Sequence, residues 1–336
     1  MQHDLSRWRL LLLLSCTLFV SSSCSPVAAD APTGPPATVA QAAAVLDLSK
    51  FPLFQETKAP RQRHVAGLTY NAKSDVKQAF AFQRKQLAER GFQELPGSQI
   101  TDQSASGTFA RDGFRVSATT FPASESGEAS VMVINHGNVQ LDKLPVPSDA
   151  KQSYAGPAIT MYVTESPVSQ TAADCAKLLA AKDWLPYGVA GDTHFFKQNA
   201  VRLTVQIAAA PAQGGKTMIS YSSELMSAEL PAPADVTQLQ YSDSTKQLSF
   251  DTKSTMAEVA QYYRTELAKT GWQPTTDNLI KSGFKHFMIF RNPAKDLAEL
   301  EVRPLESGAR VTLKYQTAAE VEGMEKRIKE KLEKKP

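Results

Sequence analysis

The stretch Phe250-Asp251-Thr252-Lys253-Ser254-Thr255-Met256-Ala257-Glu258-Val259-Ala260-Gln261-Tyr262-Tyr263-Arg264-Thr265-Glu266-Leu267-Ala268-Lys269-Thr270-Gly271-Trp272 decides how this chain is built. A short strand ends at the aromatic Phe250. Met256, Val259, Tyr263 and Leu267 then recur at steps of three and four, which places them on one helical stripe, with Arg264, Glu266 and Lys269 off it. A Ser or Thr near the turn offers an oxygen to the helix start, and Gly271 stops the helix as a C-terminal glycine should.

The same skeleton occurs twice upstream. With Phe92, Trp184 and Trp272 as anchors, Leu87, Leu179 and Leu267 lie five residues earlier, Ser74, Ser166 and Ser254 eighteen earlier, and Tyr70, Tyr162 and Phe250 twenty-two earlier. Lys50-Phe51-Pro52-Leu53, Lys143-Leu144-Pro145-Val146 and Glu229-Leu230-Pro231-Ala232 mark corresponding starts. So many equal spacings predict an internal repeat with a period of about 90 residues. Gly91 ends the first helix; Asp183, a weaker terminator, holds that place in the second. Beyond the helices the pattern changes to period two: Phe114, Val116 and Ala118; Val201, Leu203, Val205 and Ile207; Val311, Leu313 and Tyr315. Strict alternation gives each strand one buried and one wet face, and Gly214-Gly215 supplies a hairpin turn. The fold class is therefore α+β: three tandem modules, each an antiparallel sheet with one helix on one face, spanning 46–142, 143–228 and 229–317. Leu144-Pro145-Val146-Pro147 and Leu230-Pro231-Ala232-Pro233 join them as stiff, extended connectors. Residues 318–336 form a charged C-terminal helix, with Val321, Met324, Ile328 and Leu332 as a narrow docking stripe.

The amino terminus has the architecture of an export signal. Arg7 and Arg9 precede the apolar run Leu10 to Val20 and the small residues Ser21, Ser22 and Ser23, so 1–23 is a leader too short to remain as a membrane span. Cys24 follows at once. An ordinary secreted protein cut near Ser23 or Ala28-Ala29, with Cys24 incidental, is the alternative that these residues leave open. From Ser25 to Val45, 12 of 21 residues are Ala or Pro, a composition expected to form a tether (24–45) rather than a core, with a reach of about 65 Å at 3.1 Å per residue. After processing, Cys175 is the one cysteine left in the folded body, so it has no intramolecular disulfide partner.

The leader and Cys24 resemble a bacterial lipoprotein signal, although that motif usually has Leu where Ser21 stands. The resemblance implies acylation of Cys24, hence a membrane partner through lipid. Ser25 rather than Asp after it implies outer-membrane sorting as the default. The repeated skeleton, a Ser-started helix closing in Leu-x-x-x-Gly-Trp after a short aromatic strand, resembles tandem modules of uncharacterised bacterial secreted proteins and lipoproteins. It is more faintly similar to the helix-on-sheet domains of outer-membrane-assembly lipoproteins. Neither likeness supplies an activity.

Composition agrees with a globular body. The 336 residues are 42% hydrophobic, with 37 basic and 34 acidic side chains, so no charge excess calls for nucleic acid. Chemistry-bearing motifs are absent: there is no Gly-x-Ser-x-Gly, Ser-x-x-Lys, phosphate-cradling loop or His-Glu-x-x-His. His64, His136, His194 and His286 fall at different places in the three copies, which excludes a repeated metal site, and no cofactor is expected. Cys175 reads as a small apolar core residue rather than a nucleophile. Glu299 and Glu301 lie on one strand face, not across a cleft. Phe92, Trp184 and Trp272, with Leu87, Leu179 and Leu267, are expected to close each helix onto its sheet, since no shared polar groups sit beside them for sugar stacking. The expectation is a non-catalytic envelope lipoprotein. Its wet sheet faces (Arg115, Arg202, Glu299, Arg303, Lys314) or grooves would hold another envelope protein or a cell-wall polymer. The alternative is a carrier of a lipid or similar apolar ligand between helix and sheet.

Overall fold

The computed structural model describes residues 34–333 except 56 and 58; the leader, Cys24 and residues 25–33 lie outside them. Helix α1 (Val39–Val45) comes first. The first segment has β1 (Gln62–Arg63), β2 (Gly67–Ala72), α2 (Val76–Ala88), β3 (Gln93–Glu94), β4 (Gln99–Ile100), β5 (Ala105–Arg111), β6 (Phe114–Pro122) and β7 (Ala129–Gly137). The second has β8 (Lys151–Ala155), β9 (Ile159–Thr164), α3 (Val168–Ala180), β10 (Leu185–Ala190), β11 (Thr193–Gln198), β12 (Val201–Ala210) and β13 (Lys216–Leu225). The third has β14 (Thr237–Ser242), β15 (Gln247–Thr252), α4 (Met256–Ala268), β16 (Gln273–Pro274), β17 (Ile280–Ser282), β18 (Lys285–Arg291), β19 (Leu297–Pro304) and β20 (Ala309–Gln316), then α5 (Ala318–Glu333). The protein is α+β, with sheets that are antiparallel at every pairing but one.

Strand order repeats with the sequence. It runs β1-β2-β7-β6-β5-β3 in the first segment, β8-β9-β13-β12-β11-β10 in the second and β14-β15-β20-β19-β18-β16 in the third. Each time, the helix carries the chain from the strand near one edge to the opposite edge, and a meander fills the strands between. The three helices close alike. The backbone N–H of Phe92, Trp184 and Trp272 donates to the carbonyl of Leu87, Leu179 and Leu267 at 3.1, 3.2 and 3.1 Å, and the residue before each anchor bonds three residues back. This is the Schellman closure, in which a hydrophobic contact between the two outer positions accompanies the hydrogen bond. It needs a left-handed residue just before the anchor, and Gly91 (φ 78°), Asp183 (φ 63°) and Gly271 (φ 84°) supply it.

Helix starts vary more than their ends. Asp75 and Thr255 accept from the backbone N–H three residues on, whereas Pro167 offers no such oxygen. The repeated serines precede these caps and are not themselves the capping residue; Ser166 and Ser254 donate their N–H to Thr164 and Thr252 in tight turns.

Three separate sheets are expected and two are found. The third segment joins the second through the single parallel pairing of Val189 with Thr237, making one 13-stranded sheet beside the 7-stranded first. Gly188 (φ 132°) permits this junction, because a Cβ there would lie 2.6 Å from the Leu239 Cβ. The first two segments also share one buried cluster, in which Leu68, Phe109 and Val133 of the first are contiguous with Leu179, Leu203 and Tyr221 of the second. The connectors are packed rather than spanning open solvent. Tyr221 and Tyr263 hydroxyls donate to the carbonyls of Pro145 (2.9 Å) and Pro231 (3.1 Å). In the first segment the Tyr70 hydroxyl accepts from the Phe54 N–H at 3.2 Å.

Two expectations are corrected here. The Pro/Ala segment is folded from residue 35 on: Asn138 and Asn199 donate to the Pro35 and Pro36 carbonyls, and Ala37, Ala42 and Leu46 are buried. Its small side chains let α1 lie close against the first two segments, which composition alone hides. The face carrying Arg202 is not wet. Arg202 pairs with Glu224 at 2.8 Å and lies over the Phe195 and Tyr241 rings, its side chain only 12% exposed. The charged C-terminal helix forms as expected: Thr317 and Glu320 cap its start reciprocally, and Val321 is buried while Met324 is half-buried. The Ile328 and Leu332 side chains lie outside the described residues.

Asp183→Gly removes a left-handed Cβ and is expected to raise stability by about 1 kcal/mol, whereas Gly271→Ala lowers it by about as much; urea unfolding of both variants checks this. Ala42→Leu, which overpacks a fully buried site within 24–45, should cost about 1–3 kcal/mol by the same measurement, where a free tether would show no change.

Candidate functional site

The anchors are structural in position. Phe92 and Trp184 are each 3% exposed and Leu87, Leu179 and Leu267 are buried; Trp272 is half-buried, edge-on to the Tyr315 ring at 6.0 Å. Cys24 lies outside the described residues. Cys175 is buried with its Sγ 3.7 Å from the Tyr221 hydroxyl oxygen, and burial pushes its thiol pKa up. Among the described residues no three His, Cys, Asp or Glu side chains cluster as metal ligands, and no helix is long and apolar enough to cross a membrane.

Polar groups concentrate where the three segments meet. Asp243 accepts from the Ser227 N–H (2.7 Å), the Ser227 hydroxyl (2.8 Å) and the Tyr241 hydroxyl (2.8 Å), while the Ser227 hydroxyl accepts from the Ala66 N–H of the first segment. Glu224 stands beside this group. Burial, reinforced by Asp243 and opposed by Arg202, raises its carboxyl pKa. His136 bridges the first and second segments. Its Nδ1 lies 3.3 Å from the Ser223 carbonyl, which can only accept, so Nδ1 carries the proton and Nε2 accepts from the Ser117 hydroxyl at 2.8 Å. Burial holds the His136 pKa down against the Ser223 bond, with Arg115 acting in the same direction as burial. These groups bond to one another across the junctions, so they fasten the segments.

A different arrangement is found in the third segment. A groove of about 560 Å³ opens between α4, the 277–279 loop and β18. Met256, Ala257, Ala260, Leu279 and Met288 give it apolar walls, and Gln261, Arg264, Asp277, Asn278 and His286 surround them. Its size is that of a small-molecule site.

The groove arises from local substitutions in the shared skeleton. Ala260 stands twelve residues before its anchor, where the first segment has Phe80. Phe80 is buried and its ring tip lies 3.0 Å from where a Gly107 Cβ would stand, so ring and glycine interlock. Through the Glu94–Phe109 and Pro274–Phe290 pairings, Gly107 corresponds to Met288. Exchanging Phe for Ala on the helix is thus matched by Met for Gly on the strand, and a buried, flexible Met288 stands where the first segment has an interlocked ring.

Arg264 changes partner in the same comparison. Its first-segment counterpart, Arg84, pairs with Glu94 at 2.5 Å. Pro274 occupies the position of Glu94, and Arg264 instead donates through Nη2 to the carbonyls of Thr276 and Asp277. His286, also in the wall, has an Nδ1 shielded from solvent and without a partner among the described residues. Sequence reading had Arg264 only as a residue off the apolar stripe and His286 only as one of four histidines at unrelated places in the copies. Comparing the copies for differences rather than for matches would have singled out Phe80 against Ala260 and Glu94 against Pro274.

Comparison with protein-family models, curated proteins and solved structures finds no match for the chain.

His136 and His194 have folded pKa values below the ordinary imidazole value of about 6.5, both chiefly through burial. Below about pH 6.5 the unfolded chain binds these protons first, so their share of stability is present above that pH and is lost as pH falls toward the folded values, by at most about 1.4 kcal/mol per pH unit per proton. Glu224 works in the opposite sense, its share being present at low pH and lost as pH rises through its raised folded pKa. His136→Asn should flatten the acid-side loss relative to the parent chain, measured as urea midpoints at about pH 5.5 and 7.5; an unchanged slope assigns the loss elsewhere.

Proposed function

We propose that the protein is a lipid-anchored component of the bacterial cell envelope that works by binding rather than by catalysis. In this reading it is made of three tandem copies of one helix-on-sheet module (46–142, 143–228, 229–317), followed by the charged helix. The observation that carries it is the threefold recurrence of one strand order with one helix closure, joined into a body whose reactive side chains are engaged in structural bonds. Cys175, Asp243, Glu224 and His136 all serve packing or fastening. The half-buried strand-face residues Arg115, Glu299, Arg303 and Lys314 are left for an envelope protein or cell-wall polymer. Near-balanced charge argues against nucleic acid.

Anchorage rests on Cys24 directly after the apolar leader. Ten residues lie between Cys24 and Pro35, whose carbonyl the body holds, a length of chain that spans about 31 Å at 3.1 Å per residue in place of the 65 Å of a tether running to residue 45. With a diacylglycerol and an amide-linked chain on Cys24, the body would be held close to the bilayer; at about 0.8 kcal/mol per buried CH₂ this attachment is effectively permanent. Labelled fatty acid should be incorporated into the exported chain, and Cys24→Ala should abolish both labelling and membrane partitioning. Membrane partitioning unchanged in that variant would overturn the anchor.

The groove of the third module favours a second reading, in which the same envelope protein carries an apolar ligand between helix and sheet. The sealed first module and the open third are then a framework and a binding copy of one design.

A further inference from the structure

We propose that the groove beneath α4 binds a long-chain fatty acid, with its alkyl chain along Met256, Ala260, Leu279 and Met288 and its carboxylate at Arg264. This rests on the carrier reading and adds the chemistry of the head group. Three observations point to it, and each is a departure of the third segment from the first.

The space is the first. Phe80 interlocks with Gly107 in the first segment; in the third, the small Ala260 and the flexible Met288 share that place, and the groove runs along them. Met256 and Met288 border that space, and unbranched, polarisable methionines adapt to a flexible chain. The charge is the second. Arg84 is neutralised by Glu94, but Arg264 has Pro274 in that place and no carboxylate partner among the described residues. Two backbone carbonyls engage its Nη2, orient the guanidinium at the rim and leave its net positive charge in place. Asp277 is the carboxylate of the rim; its side chain is exposed and its backbone carbonyl, not its carboxyl, meets Arg264. A ligand carboxylate supplies the charge that Glu94 supplies in the first segment, and a guanidinium binds such a group through paired N–H donors. The third is His286, whose unpartnered, solvent-shielded Nδ1 is the one unsatisfied polar atom of the lining residues. A buried polar atom without a partner is costly, and a ligand head group is a source of one.

The test uses the complete chain produced with Cys24→Ala, so that no anchor acyl chain competes, and titrates the fluorescent polyene cis-parinaric acid against its methyl ester. The acid should bind at least about tenfold more tightly than the ester, as loss of a charge-assisted hydrogen bond requires. Ala260→Phe, which restores the first segment's plug, should remove binding of both probes. Arg264→Gln, and Pro274→Glu, which rebuilds the first segment's ion pair, should weaken the acid about tenfold and leave the ester unchanged. Equal binding of acid and ester, both indifferent to Arg264→Gln yet blocked by Ala260→Phe, would overturn the carboxylate assignment and leave the carrier reading standing. Failure of both probes to bind would overturn the two together. Should Ala260→Phe not fold, Pro274→Glu still decides, because it changes a half-buried rim position and fills no core.

Discussion

Each helix of the three segments ends in one backbone hydrogen bond, from the N–H of an aromatic anchor to the carbonyl of a leucine five residues earlier. The rest of the architecture depends on it. The bond satisfies a carbonyl that the helix end would leave unpaired, reverses the chain direction and brings the anchor side chain over the leucine it bonds. The strand that follows then starts at the far edge of its sheet, which leaves room for the meander between the two edges. Anchor, leucine and left-handed residue are thus one device, which explains why their spacing is kept where most other positions have drifted. Asp183 shows how far it bends: a carboxylate residue accepts the left-handed conformation at a modest cost because the hydrogen bond and the buried Trp184 offset it.

Closure alone makes three small units, each with little stability to spare. Association of their surfaces makes one body. The Pro-containing connectors illustrate the constraint, since a proline lacks an N–H and only its carbonyl needs a partner when buried. Tyr221 and Tyr263 provide that partner from different places, one on a sheet strand and one on a helix, and Tyr70 pins the leading chain of the first segment through Phe54. The physical requirement recurs while its solution does not. At the junction of all three segments, Arg202, Glu224, Asp243 and His136 likewise form a polar seam, and the low dielectric that makes them costly when unpaired holds the segments in register.

Much of this was legible in the sequence, and the boundary has a physical cause. Helix stripes, alternating strands and the closing pair follow from local geometry, so Met256 to Leu267, Val201 to Ile207 and the anchor spacings declared themselves. A Ser or Thr near the turn caps the third helix as Thr255, but the recurring Ser74, Ser166 and Ser254 are not the caps, and the first two helices start at Asp75 and Pro167, which share no side-chain chemistry. Contacts between segments have no period. Nothing local to Arg202 distinguishes a solvated face from one covered by Tyr241, which comes from another segment. Pro35 to Leu46 has the composition of a tether, and it folds because Asn138 and Asn199, more than a hundred residues away, hold its carbonyls. The groove was hidden for a related reason, since a search for repeats weighs what copies share and passes over where they part.

Those departures set the helix–sheet interface of the third segment apart from that of the first. A helix-on-sheet unit that seals itself with Phe80 and neutralises its own Arg84 presents a finished core and nothing to bind. In the third segment Ala260, about two turns before Leu267 of the closing bond, lines a groove, and Arg264, within one turn of that leucine, has no carboxylate partner among the described residues. Stability lost at the open end of the third segment is offset at its edges, where β14 joins the second segment's sheet and Lys246 ties Glu320 of α5 at 2.7 Å. The second segment also has Ala172 and Pro186 at the places of Phe80 and Glu94 but Ala176 where Arg264 stands, so the unpaired guanidinium is what sets the third segment apart from both others.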